Sequence, residues 1–134
     1  ISKFSNVISI NGGVQLDLMG QENAESTGTR QLSGVGGQMD FLEGAYRSKG
    51  GKGFICINSS RVTKDGERKS NILATIPGGS TISAPRTMIQ YVATEYGIAS
   101  LSGKTLRERA EAMASIAHPD FREELMKYAQ ENFK

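Results

Sequence analysis

The apolar residues of this chain change their spacing at Thr105. Before it they come in short runs bounded by glycine and polar residues, and after it they recur every three or four positions. Thr105-Leu106-Arg107-Glu108 has the form of a capping box, and Leu106, Ala110, Met113 and Ala117 mark one apolar face of the helix it would start. Pro119 suits the first turn of a second helix, with a buried face of Phe121, Leu125, Tyr128 or Ala129, and Phe133. The predicted order is therefore strands with one helix among them, followed by a helical tail.

Within the first part, "NVISIN" and "VQLDLMG" read as two strands of a hairpin joined at Gly12-Gly13, with Val14, Leu16 and Leu18 on one face. A polar loop, 21–30, leads to three glycines (Gly34, Gly36, Gly37). A helix follows, with Phe41, Leu42, Ala45 and Tyr46 at helical spacing. "GFICIN" is a strand. "SSRVTKDGERKSNI" reads as a mobile loop turning at Asp65-Gly66 and closing on the strand "NILATI". "STISAP" and "MIQYVATEYG" read as further strands, the last stopped by Gly97.

At 134 residues the chain has the size of one domain. Hydrophobic residues make up 37% and charged residues 22%, and no stretch approaches the roughly eighteen apolar residues of a membrane span, so no membrane partner is expected. The net charge of +2 gives no argument for nucleic acid. A single cysteine, Cys56, lies in an apolar run and reads as a buried, inert thiol; with no targeting signal, a reducing, cytoplasmic setting is expected.

Glycines ahead of a helix let backbone N–H groups approach an anion, and the helix N-terminus adds partial positive charge. "SGVGGQMDF" has this form, although the same glycines would also serve a tight turn and close packing. It is not a dinucleotide fingerprint, because the third glycine position holds Met39. Gly103-Lys104-Thr105 imitates the end of a phosphate-binding loop, but the first glycine falls at Gly97, one residue too early. With one histidine, His118, and one cysteine, no metal is expected, and His118 before Pro119 reads as a structural or capping residue.

Four longer segments, "SGVGGQMDF", "AYRSKGGK", "YVATEYGIASLSGKTLRERA" and "IAHPDFREEL", resemble the C-terminal part of the acetyl-CoA hydrolase/transferase family, close to its 4-hydroxybutyrate and butyrate–acetate CoA-transferases. The likeness runs from about Asn6 to Leu125. It implies a mixed-sheet α/β fold of the NagB/RpiA/CoA-transferase-like type, with residues 1–134 as the C-terminal domain of a longer two-domain enzyme. Coenzyme A or acyl-CoA and a small carboxylate are its implied substrates. The protein's own N-terminal domain is the implied partner, with homo-oligomers formed by the full-length chain.

In that family a glutamate carboxylate attacks the acyl-CoA thioester, passes through a mixed anhydride to a glutamyl-CoA thioester, and returns CoA to a second carboxylate. The resemblance places this nucleophile upstream of Ile1, which implies that the isolated chain is inactive. It matches Gly37 to an oxyanion- and CoA-binding glycine, with Gly36 its neighbour in the same turn, and Lys64 to a lysine that contacts CoA. Glu95 in "ATEYG" matches a glutamate that orients substrate or nucleophile, an ion pair with an arginine being the alternative. Asn11 matches an asparagine near CoA. A hydrolase, in which water takes the place of the second carboxylate, and a non-catalytic CoA-binding module are the other functions compatible with the sequence.

Overall fold

Three parallel strands and one antiparallel strand form the main sheet in the computed structural model, which describes residues 1–134. They are β1 (Ile8–Gly12), β6 (Lys52–Cys56), β10 (Tyr91–Thr94) and β11 (Gly97–Ser100), in the spatial order β1-β6-β10-β11. Parallel neighbours cannot be joined by a tight turn, so the chain crosses from β1 to β6 through α1 (Gln38–Arg47). On the way it forms β2 (Gln15–Asp17), β3 (Glu22–Asn23), β4 (Ser26–Thr27) and β5 (Arg30–Gln31). Between β6 and β10 lie β7 (Ser60–Val62), β8 (Arg68–Ser70) and β9 (Ile72–Leu73), and the chain closes with α2 (Leu106–Ser115) and α3 (Pro119–Asn132).

One face of the sheet carries the core. Ile55 and Val92 share a single buried cluster with Leu42 of α1, Met113 of α2 and Leu125 of α3. The opposite face is bare: Ile8, Ile10 and Ile98 are each more than 60% exposed. Phe54 and Tyr91, half-buried, stack on the same face at 4.9 Å between ring centroids. Sheets rich in parallel pairing are ordinarily covered on both faces, so this apolar side is unpartnered within the chain.

The helical pattern after Thr105 is realised as expected. Thr105 and Glu108 form the reciprocal capping box, and this bonding holds the Glu108 carboxyl below the usual carboxylate range. Pro119 opens α3, and His118 caps it by accepting the Asp120 N–H at Nδ1 (3.3 Å). Leu106, however, is partly exposed; Ala110, Met113 and Ala117 supply the buried contacts.

Several strand readings are corrected. The β1–β2 hairpin does not form: β1 pairs with β6, and β2 belongs to a separate sheet of order β3-β2-β9. Neither Gly12 nor Gly13 has the positive φ that a two-residue hairpin turn demands. Leu16 and Leu18 are fully buried, but Gln15 before them and Asp17 between them are buried too, because this small sheet is covered on both faces. The "polar loop" 21–30 holds buried Glu22, Asn23, Glu25 and Ser26. There the Asn23 side chain satisfies the backbone, accepting from the Glu25 and Ser26 N–H groups and donating to Ser26 O.

On α1 the buried residues are Leu42, Gly44 and Ala45, with Phe41 and Tyr46 exposed; Ile1 packs over the space that Gly44 leaves. "SSRVTKDGERKSNI" is an ordered hairpin, β7–β8, closed by Thr63 N–H donating to Glu67 O (2.8 Å) and by Gly66 at φ +81°. "NILATI" is extended only at Ile72–Leu73, and "STISAP" contributes one bridge, Ala84 to Glu22. Gly97 does not end the strand region; at φ +147° it turns the chain back into β11.

Candidate functional site

The carboxyl ends of β1, β6 and β10 lie at one edge of the sheet, where open α/β sheets usually bind their ligands. An open cleft of about 400 Å³ occupies that edge, lined by Gly13, Cys56, Ile57, Asn58, Ala93 and Thr94. Cys56 is half-buried on the bare face of the sheet and lines this cleft, which corrects the reading of a fully buried thiol. No three His, Cys, Asp or Glu side chains gather where they would hold a metal ion.

None of the site residues singled out from the sequence lines this cleft. Asn11 is near the end of β1, the Gly36-Gly37 loop precedes the crossover helix α1, Lys64 is in the β7–β8 turn after β6, and Glu95 follows β10. No hydrogen bond or ion pair joins Asn11, Lys64 and Glu95 to one another. Asn11 turns back, its Nδ2 donating to Ser9 Oγ (2.8 Å). Lys64 is exposed and has no carboxylate within 4 Å.

The start of α1 differs from that of the other two helices. Gly37 is its N-cap, with no side-chain cap, and no acceptor in the chain takes the N–H groups of Gly37, Gln38 or Met39. Gly36 needs to be glycine for its backbone, at φ +58°. Gly37 does not: its φ of −98° and ψ of 11° are open to any residue. A Cβ there would meet only the Phe41 ring, at 3.8 Å. Close packing therefore explains neither glycine.

Glu95 is exposed at the β10–β11 turn and is held by buried Ser59. Ser59 Oγ donates to Oε1 (2.6 Å) and Ser59 N–H to Oε2 (2.9 Å). Some desolvation pushes its pKa upward, but the Ser59 donations, its own backbone N–H and the nearby His118 outweigh it and leave the carboxyl below its ordinary value. The arginine ion pair is not formed: Glu95 has no Lys or Arg nitrogen within 4 Å.

Sequence reasoning missed a second carboxylate. Glu22 is fully buried, with both oxygens accepting from Gln38 Nε2 (2.6 and 2.8 Å). Burial pushes its pKa up to about 7; Gln38 pulls it down and neighbouring Glu25 raises it. It lies against Gly13, where a Cβ would stand 2.7 Å from Glu22 Oε1. A paired glycine that makes no hairpin was the only sign of it in the sequence.

The structure thus combines a mixed α/β sheet, an open cleft at its carboxyl edge and a helix start whose first N–H groups have no acceptor in the chain. Comparison supplies the family. The profile of the acetyl-CoA hydrolase/transferase C-terminal domain matches residues 1–129, and the chain belongs to that family. It is 50% identical over 133 residues to 4-hydroxybutyrate coenzyme A transferase of Clostridium kluyveri, covering 99% of this chain and 30% of that protein. It is 48% identical over 130 residues to butyryl-CoA:acetate CoA-transferase of Anaerostipes caccae, covering 97% and 29%. Acetyl-CoA hydrolase of Kluyveromyces lactis is 32% identical over 124 residues, covering 91% and 22%. The crystal structure of RipA from Yersinia pestis superposes with a TM-score of 0.81 at 41% identity, over 95% of this chain and 28% of that one. The chain thus spans less than a third of the length of these relatives.

Proposed function

We propose that this chain forms one wall of a CoA-transferase active site that moves CoA between an acyl-CoA and a small carboxylate. The observation that carries the reading is Gly37. Its φ, ψ and packing admit other residues, as an N-cap it has no side chain to offer, and its N–H has no partner in the chain. A ligand drawn close to the backbone accounts for this combination. In this role the N–H takes the oxyanion formed when a carboxylate adds to the thioester, and one such donor is typically worth roughly 10²–10³ in rate.

The covalent steps follow the family's chemistry. A glutamate outside this chain attacks the acyl-CoA carbonyl, the C–S bond breaks, and an acyl-glutamyl anhydride and CoA thiolate result. The thiolate attacks the glutamyl carbonyl and releases the first carboxylate; a second carboxylate then reverses the sequence and leaves with CoA. Lys64, unpaired on its hairpin, is suited to a CoA phosphate. Glu95, fixed by Ser59 and kept ionised, orients the substrate or nucleophile, and Asn11 lies on the CoA side. The bare face of the sheet is assigned to the protein's own N-terminal domain, completing the NagB/RpiA/CoA-transferase-like fold, in which α2 and α3 are the helical tail.

A hydrolase is the second reading, favoured by the acetyl-CoA hydrolase relative, with water replacing the acceptor carboxylate. Calorimetric titration of CoA onto the chain, and transfer from acetyl-CoA to labelled butyrate by the chain and by its full-length protein, test these assignments. The expected result is CoA binding without turnover by the chain and transfer by the full-length protein. Turnover by the chain alone would place the nucleophile within it and make Glu95 the first residue to replace. Free acetate without butyryl-CoA would establish the hydrolase.

A further inference from the structure

Glu22 is a carboxylate with an unusual setting: fully buried, with no Lys, Arg or His nitrogen within 4 Å. The acidic side chain beside it is Glu25, whose own carboxyl accepts from Ser83 Oγ (2.6 Å) and Gln31 Nε2 (3.4 Å). Burying a carboxyl against another acid is unfavourable, and a pair of apolar side chains would fill the space at less cost. What the carboxyl does gain is Gln38, the first residue of α1.

The two ends of this contact differ in rigidity. Glu22 is fixed by its backbone: it pairs with Leu16 of β2, its N–H donates to Ala84 O (3.0 Å) and its carbonyl accepts from Ser83 N–H (2.8 Å). Gln38 stands at a helix start with no cap of its own, directly after Gly36-Gly37. The absence of a side chain at Gly13, on the cleft wall, leaves room for the Glu22 carboxyl. One half-buried hydrogen-bonded contact thus joins Glu22, behind the cleft wall, to the residue that follows the glycine loop.

We propose that Glu22 and Gln38 form a half-buried strut that holds the first turn of α1, and with it the Gly37 N–H, in a fixed place at the carboxyl edge of the sheet. Glu22 is then a positioning residue: it touches no substrate, and it sets where the bared N–H groups point. The inference rests on the reading of the glycine loop as part of the acyl-CoA site.

Nuclear magnetic resonance on the full 134-residue chain tests it. Order parameters of the Gly36 and Gly37 amides report the loop. Hydrogen exchange of the Phe41 amide, which donates to Gly37 O (3.1 Å), reports the first turn, and the Ile57 amide, bonded to Ala93 O, is the reference in the sheet. Glu22→Ala and Gln38→Ala are expected to lower the loop order parameters and to speed Phe41 exchange about tenfold, leaving Ile57 unchanged. Glu22→Gln, which keeps an acceptor for Gln38, is expected to restore both. Unaltered loop amides in Gln38→Ala, or equal loss of protection at Phe41 and Ile57, would overturn the strut. Gln38→Ala serves as the deciding variant if Glu22→Ala does not fold. CoA added to the wild-type chain separates the two claims. Shifts at Gly36 and Gly37 support the positioning role. A response to Gln38→Ala with no response to CoA would keep the strut and remove its function.

Discussion

Replacing Gly37 with alanine separates ligand contact from folding more cleanly than any other change in this chain. The native φ and ψ suit alanine, and the new Cβ would make only ordinary contact with the Phe41 ring. Restricting the unfolded chain favours the variant by about 0.4–1 kcal/mol. The poorer standing of alanine at an N-cap takes back a similar amount, about 0.5–1 kcal/mol. Stability should therefore stay within about 0.5 kcal/mol of wild type in urea unfolding. Function should not: under the proposed role the methyl group would occupy the space through which a ligand oxygen reaches the N–H, and losing one such contact costs about 3–4 kcal/mol in the transition state. Under the proposed function, kcat for CoA transfer by the full-length protein should fall roughly 10²–10³-fold. Gly36→Ala is the control, because forcing alanine to φ +58° costs about 1–2 kcal/mol of stability. Full activity in Gly37→Ala would refute the reasoning, and so would a loss of activity matched by an equal loss of stability.

Glu22 makes stability fall with rising pH. Its folded pKa, about 7, exceeds the ordinary 4.5, so below about 4.5 it contributes no pH dependence. Stability is then lost between the two values, by at most about 3 kcal/mol. Urea titrations of wild type and Glu22→Gln should converge at acid pH and diverge by pH 8; parallel curves would exclude a buried, proton-linked carboxyl. Lys64→Ala should raise the dissociation constant for CoA more than it lowers the rate of chemistry, and an unchanged affinity would remove Lys64 from the site. Glu95→Gln should lower turnover with less than about 1 kcal/mol loss of stability, since its partner Ser59 keeps an acceptor. Unfolding as the chief effect would make Glu95 structural. Thr105→Ala should cost about 0.5–2 kcal/mol by removing the α2 cap, with CoA affinity unchanged.

The parts of this fold that obey a local rule were legible in the sequence. A capping box and a proline at the first helical position fix where α2 and α3 begin, because each acts within one turn of helix. The Asp65-Gly66 turn was equally local, although the strands it joins were not foreseen. What could not be read depends on partners distant in the chain. Gly12-Gly13 has the composition of a hairpin, and only the pairing of β1 with β6, some forty residues on, decides against it. Polar residues 22–26 look like loop until Asn23, Ser83 and Ala84 are seen to satisfy them.

The same contrast holds in the site. The glycine loop stood out because its residue types are unusual, and its family likeness supplied Lys64, Glu95 and Asn11. Nothing in the order of residues reveals that Ser59 grips Glu95 across 36 positions, or that Gln38 reaches Glu22 across 16. Both contacts are set by how the crossover and the turns return the chain to one edge of the sheet.

The bare face of the sheet divides the residues of this chain by what constrains them. Ile8, Ile10 and Ile98 are surface residues by exposure, yet they stand on the sheet face where the rings of Phe54 and Tyr91 stack. Under the proposed pairing with an N-terminal domain they become interior residues of the larger molecule. A polar substitution at Ile10 would then be silent, or even improve solubility, in the 134-residue chain while disabling the full-length protein. Under that pairing, tolerance measured on the 134-residue chain would misreport tolerance in the larger protein, and it would do so at these positions rather than throughout the sequence.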